Sequence, residues 1–148
     1  MLTKQFIESV AAASGLFPPV ERCVFEANGL DAITELLGNL RSVEFPALIL
    51  EGRDSGSIDI VEGPLDTFTQ SLWVMEQAGR DDEDAEVYNQ AFRLGRRLVA
   101  ILIAARPECR ELDGWAVSHI SYLKRYGGPG ARGWEFVFTF KEDINLLP

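Results

Sequence analysis

Histidine, cysteine and long apolar runs are what this chain of 148 residues has least of, and each shortage removes a class of function. His119 is the single histidine, so pairs of imidazoles cannot be assembled within one chain, and a structural or surface role is expected for it rather than a catalytic one. Cys23 and Cys109 stand far apart and outside any CxxC or Cys/His spacing, and free thiols are expected rather than a disulfide or a metal site. The longest apolar run, Leu98 to Ala105, falls far short of the ~20 residues of a bilayer-spanning helix. The N-terminal stretch has neither the basic start nor the cleavable apolar segment of a signal peptide, so a cytosolic protein is expected. The glycine-rich stretch Gly127 to Gly133, GGPGARG, lacks the Lys-Ser/Thr of a phosphate loop, and no helix opens after it. The acidic run from Asp81 to Glu86 lacks the spaced oxygens and turn glycine of a calcium loop. No catalytic residue, metal ligand or cofactor-binding residue is assigned, and no cofactor is expected.

Acid is present in excess. The net charge is −9, which argues against specific nucleic-acid binding because phosphate contacts need a basic surface. Its distribution is uneven: residues 1–90 carry 17 Asp/Glu against 5 Lys/Arg, and residues 91–148 carry 6 against 9. A solvated surface explains this, and so does a polarised molecule whose basic part meets the acidic part of a neighbour, the head-to-tail contact that builds rings.

The segment that organises the chain runs from Asp82 to Ala105, DEDAEVYNQAFRLGRRLVAILIAA. Tyr88, Phe92, Gly95, Val99 and Leu102 recur at helical spacing, and Ala91, Leu94, Leu98, Ile101 and Ala105 widen the stripe, so this is a helix with one buried face. Acids crowd its start, arginines lie toward its end, and Pro107 stops it, as the helix dipole and the missing proline donor favour. Before it, Thr3 to Ser14 reads as a short amphipathic helix capped by Thr3 and ended by Gly15. Val20 to Asn28 fits a short helix or a strand, with an irregular strand-like piece preferred. Asp31 to Leu40 is a further helix with Asp31 as its cap.

Strands are expected at Val43–Glu51 and Asp66–Glu76, with Gly52 to Gly56 a loop and Ser57 to Val61 a short extended lead-in. Two more are expected at Trp115–Tyr126 and Trp134–Lys141, joined by the glycine-rich stretch. His119 is placed on the face of Val117 and Ser121. The expected architecture is a single α+β domain over residues 1–148, with an antiparallel or mixed four-stranded sheet of two hairpins joined by the long crossover helix, and short N-terminal helices. Trp134, Phe136, Phe138 and Phe140 share one face. Trp73, Trp115 and Trp134 are expected to leave an exposed aromatic face, covered either by the N-terminal helices or by another subunit. Arg93, Arg96 and Arg97 on the long helix, with Asp81, Asp82, Glu83 and Asp84 at its start, are the candidate subunit interface.

The short N-terminal helix, the strand opening with Phe-Pro (VEFPALIL), the crossover helix of about 20 residues and the closing Gly-Trp-aromatic strand (GWEFVFTF) together resemble the tail terminator and tail-completion proteins of long-tailed bacteriophages and prophages. The likeness lies in element order over roughly residues 2 to 144, and no short motif is diagnostic. It implies a non-enzymatic α+β protomer that forms a ring, commonly a hexamer, at the head-proximal end of the tail tube. The partners it implies are other copies of the chain, the tail tube and the head-side connector, with no membrane. The location it implies is the bacterial cytoplasm and then the virion tail. A different reading of the same acidity is a cytosolic protein-binding module of the immunity or adaptor type that masks a basic partner.

Overall fold

The computed structural model describes residues 1–39, 42–61, 63–79, 84–105 and 115–144, with the side chains of the last stretch described from 117 onward. In chain order the elements are α1 (Lys4–Ser14), α2 (Val20–Cys23), β1 (Val24–Glu26), α3 (Leu30–Gly38), β2 (Ala47–Asp59), β3 (Leu65–Gln77), α4 (Asp84–Ala105), β4 (Trp115–Tyr126) and β5 (Ala131–Asp143). One five-stranded sheet has the order β1-β2-β3-β5-β4. β1 runs parallel to β2, and every other neighbouring pair is antiparallel.

The class is α+β as expected, but the sheet has five strands rather than four. The fifth comes from the ambiguous stretch after Pro19, which is one helical turn and then three residues, Val24, Phe25 and Glu26, in register with Leu48, Ile49 and Leu50. Three residues are too few for alternation to be read, so pairing with β2 decides the conformation. β2 also runs through Gly52–Gly56, where a loop was expected. Irregularities between Leu50 and Arg53 and between Arg53 and Gly56 absorb the extra residues and keep the strand paired to β3. A β-carbon on Gly56 would lie 2.6 Å from the Thr67 carbonyl oxygen and 2.9 Å from Phe68 Cβ, so the two strands approach this closely only because position 56 has no side chain.

One sheet face carries α1 and α4. The Thr3 side chain caps α1 by accepting from the Phe6 amide at 3.2 Å, Gly15 ends it at φ +69°, and Phe6, Ile7, Val10 and Ala11 are buried. α4 buries Val87, Ala91, Gly95, Leu98 and Leu102, a stripe at steps of three and four. The Phe136 ring fills the space that a β-carbon of Gly95 would take, so the helix backbone seats directly on β5. Trp134, Phe136, Phe138 and Phe140 share this face as expected, opposite Val74, Leu72, Gln70 and Phe68 of β3. Gln70 is the polar exception. Its amide accepts from the Leu2 amide at 2.8 Å and donates to the Leu2 and Glu51 carbonyls at 2.9 Å each, tying the N-terminus to the sheet.

The other face carries α3, whose Ile33 and Leu37 pack on Ile49, Trp73 and Met75. This corrects two expectations. Asp31 lies in the first turn of α3, and Gly29, at φ +91°, occupies the cap position. Trp73 is only 2% exposed, because α3 covers it. Trp134 lies on the opposite face, half-buried beneath α4, with its indole N–H donating to the Tyr88 carbonyl at 2.9 Å. The side chain of Trp115 lies outside the described part, so Trp73 and Trp134 are the two tryptophans whose placement bears on an aromatic face, and they do not share one.

His119 shares a face with Ser121 as expected, but not with Val117. β4 pairs Val117 with Phe140 but His119 with Thr139, leaving Ser118 as an extra residue. That bulge breaks the two-residue period, so Val117 turns toward α4 while His119 and Ser121 point to the other face.

Candidate assembly surfaces

Arg93, Arg96 and Arg97 stand at helical steps of three and one on the outer side of α4, all exposed. With Ala100 they line an open depression of about 460 Å³. Among the described residues none of the three makes an ion pair, and Arg96 lies over the Phe92 ring at 5.8 Å from its centroid. Phe92 in turn packs on Tyr122 at 4.9 Å and on Trp134 at 5.0 Å, and Tyr122 and Trp134 meet at 5.7 Å. Lys124 places its ammonium 4.4 Å from the centre of the Tyr88 ring. The β4 side of α4 is therefore a cluster of aromatic rings rimmed by cations. Tyr122 remains 54% exposed at its margin.

Of the acidic residues assigned to the same interface, Asp81, Asp82 and Glu83 lie outside the described residues. Asp84 is turned to its own chain, with Oδ1 3.4 Å from Nε of Arg132. Arg132 is nearly buried, donates from Nη1 to the Gly128 and Ala131 carbonyls at 2.6 and 2.8 Å, and stacks on Tyr126. Its Nε is a buried donor outside hydrogen-bond geometry, a cost that the nearby carboxylate offsets by charge. Glu76 stands opposite Arg132 on β3, and burial pushes its carboxyl up from the usual range.

A polar network occupies the face away from α4. Ser71 donates to Glu135 Oε2 at 2.6 Å, and Arg125 donates to Glu135 Oε1 from Nε at 2.8 Å and lies 2.7 Å away through Nη2. The Arg125 guanidinium lies 5.3 Å from the Trp73 ring centre, and the Trp73 indole donates to Glu51 Oε1 at 2.6 Å. The serine hydroxyl faces a carboxylate already held by arginine. His119 lies two strands and two residues away, on the order of 10 Å, so serine, carboxylate and imidazole do not meet. Cys23 is buried, its thiol donates to the Pro18 carbonyl at 3.4 Å, and burial pushes its pKa to about 11, which leaves it an inert core residue. Among the described residues no group of three or more His, Cys, Asp or Glu could hold a metal ion, and no helix is long and apolar enough to cross a membrane.

The arginine triplet was visible in the sequence from its spacing alone. The aromatic rings beside it and Lys124 were not grouped with it, because only strand order brings β4 next to α4. No family model matches the chain, and no curated protein does.

Proposed function

We propose that this chain is a non-enzymatic structural protein that assembles with copies of itself into a ring, in the manner of the phage and prophage tail terminators it resembles, with a hexamer at the head-proximal end of the tail tube as the specific form. The observation that carries the reading is the unneutralised Arg93–Arg96–Arg97 face on a strongly acidic molecule. These cations have no ion-pair partner among the described residues, and acids are abundant on every copy. The aromatic rim beside them adds apolar area to the charge, the composition that suits a contact core edged by ions. In this reading the tail tube and the head-side connector meet the two ends of the ring.

Light scattering over a concentration series at low and high salt tests it. The expected result is a concentration-dependent approach to a closed oligomer that loosens at high salt, where the screening length falls to about 3 Å at 1 M. Replacing Arg93, Arg96 and Arg97 together by Glu should abolish assembly while leaving the circular dichroism of the monomer unchanged. A native protein that stays monomeric at every concentration overturns the proposal in favour of an acidic module that masks a basic partner.

A further inference from the structure

Resting on the self-assembly proposed above, we infer that successive copies join edge to edge, the outer edge of β4 in one copy lying against the β1–β2 edge of the next. Both edges are open. Among the described residues no strand pairs with the outer side of β4 along its 12 residues. β1 covers only the start of β2. After the Ala27 amide reaches the Leu50 carbonyl and the Gly52 amide reaches Asn28 Oδ1, the outer side of β2 has no strand partner among the described residues, and residues 52–59 are all exposed. An uncovered edge presents a row of backbone donors and acceptors that a further strand satisfies.

Strand direction suits a ring. β2 and β5 run one way, β3 and β4 the other. Copies related by rotation about an axis along the strands keep one orientation, so β4 of one copy arrives antiparallel to β2 of the next and continues the alternation.

Charge suits it as well. Glu21, Glu26, Asp54 and Asp59 are exposed along the β1–β2 side; of the cations there, Arg22 is held by Glu44 and Arg53 by Asp66 and Glu142, and Lys4 lines the depression beside Glu26, so acids stay in excess. On the β4 side Lys124 and Arg96 are exposed and make no ion pair among the described residues. The sheet register sets these groups at one level. Glu26 stands in the row of Leu50, Leu72, Phe136 and Tyr122, and Val24 in the row of Leu48, Val74, Trp134 and Lys124. An in-level neighbour therefore sets Tyr122 opposite Glu26 and Lys124 opposite Val24, which leaves the long Lys124 side chain within diagonal reach of the Glu26 carboxylate. The occupant is a second copy of this chain, because the acid that answers Lys124 lies on the opposite edge of the same molecule. A twofold β4–β4 pairing would instead set cation against cation.

Cysteine cross-linking tests the contact. In a Cys109→Ser background, the paired substitutions Glu26→Cys and Tyr122→Cys, directly opposed in this register, should give a ladder of disulfide-linked multimers under mild oxidation. Neither single variant should link to itself, and a mixture of the two should stop at a dimer. Lys124→Glu should lose the oligomer at a concentration where the native chain assembles, and adding Glu26→Lys should recover it. Dimers from Tyr122→Cys alone would overturn the inference in favour of a twofold contact. A native chain that forms a closed oligomer while the paired variant gives no ladder would overturn this contact and leave the ring standing. A native chain monomeric at every concentration, with no ladder, would overturn both.

Discussion

The two faces of the sheet are made by the same strands and are covered very differently. On the α4 side the core is apolar from Phe68 to Trp134, with Gln70 enclosed in it and Arg132 at its end beside Asp84. On the α3 side an apolar patch of Ile49, Trp73 and Met75 gives way to Ser71, Glu135 and Arg125, and then to exposed positions such as His119 and Lys141. Helix length accounts for the difference. The 22 residues of α4 span about 33 Å and the 9 of α3 about 14 Å, against about 43 Å for a 13-residue strand. α4 reaches along most of the sheet, so one face is apolar for most of its length. α3 covers one end, and beyond it an apolar side chain would cost roughly 25 cal/mol for every Å² left in water.

This contrast can be broken at graded cost. Phe136→Ala removes the ring on which Gly95 of α4 sits and should destabilise by about 3–5 kcal/mol, read from the urea midpoint. Ile33→Ala opens the smaller cluster under α3 and should cost about 2–4 kcal/mol, together with a red shift in tryptophan emission as Trp73 gains water. A loss at Ile33 equal to that at Phe136, or emission that stays unchanged, would show that the two faces are not covered to different depths. Glu135→Ala strips the partner from Ser71 and Arg125 on the half-open face and should cost about 1–3 kcal/mol. Lys141→Ala, on the same face beyond α3, should fall within about 0.5 kcal/mol of the native chain. A larger loss there would mean that the face is covered further than α3 reaches.

What could be read in advance follows the length scale of each signal. α4 declared itself because its stripe repeats over many turns, and β5 because Trp134, Phe136, Phe138 and Phe140 alternate without a break. Thr3 and Gly15 were legible as caps because capping is a contact between near neighbours. β1 was not, since three residues carry no period. The outer half of β2 read as a loop because Gly52, Asp54 and Gly56 are turn formers that here sit in a bulged strand. His119 was grouped rightly with Ser121 but wrongly with Val117, because one inserted residue, Ser118, separates them. The clamp between Gln70 and Leu2 joins positions 68 residues apart and leaves no local trace.

The candidate site divides in the same way. Spacing on one helix marked Arg93, Arg96 and Arg97. Strand order alone placed Lys124 and Tyr122 beside them and made β4 an edge.

The sequence by itself determined the long periodic elements, the buried side of α4, the acidic balance and the basic helix face, because these depend on side-chain periods and on charges that any local window contains. Tertiary structure decided that β5 lies between β3 and β4, that α3 hides Trp73, and that exposed acids and an exposed cation end on opposite edges of one sheet. Those outcomes depend on which distant strands exchange backbone hydrogen bonds, and that choice is settled by the burial gained over the whole sheet rather than by the residues of any one strand.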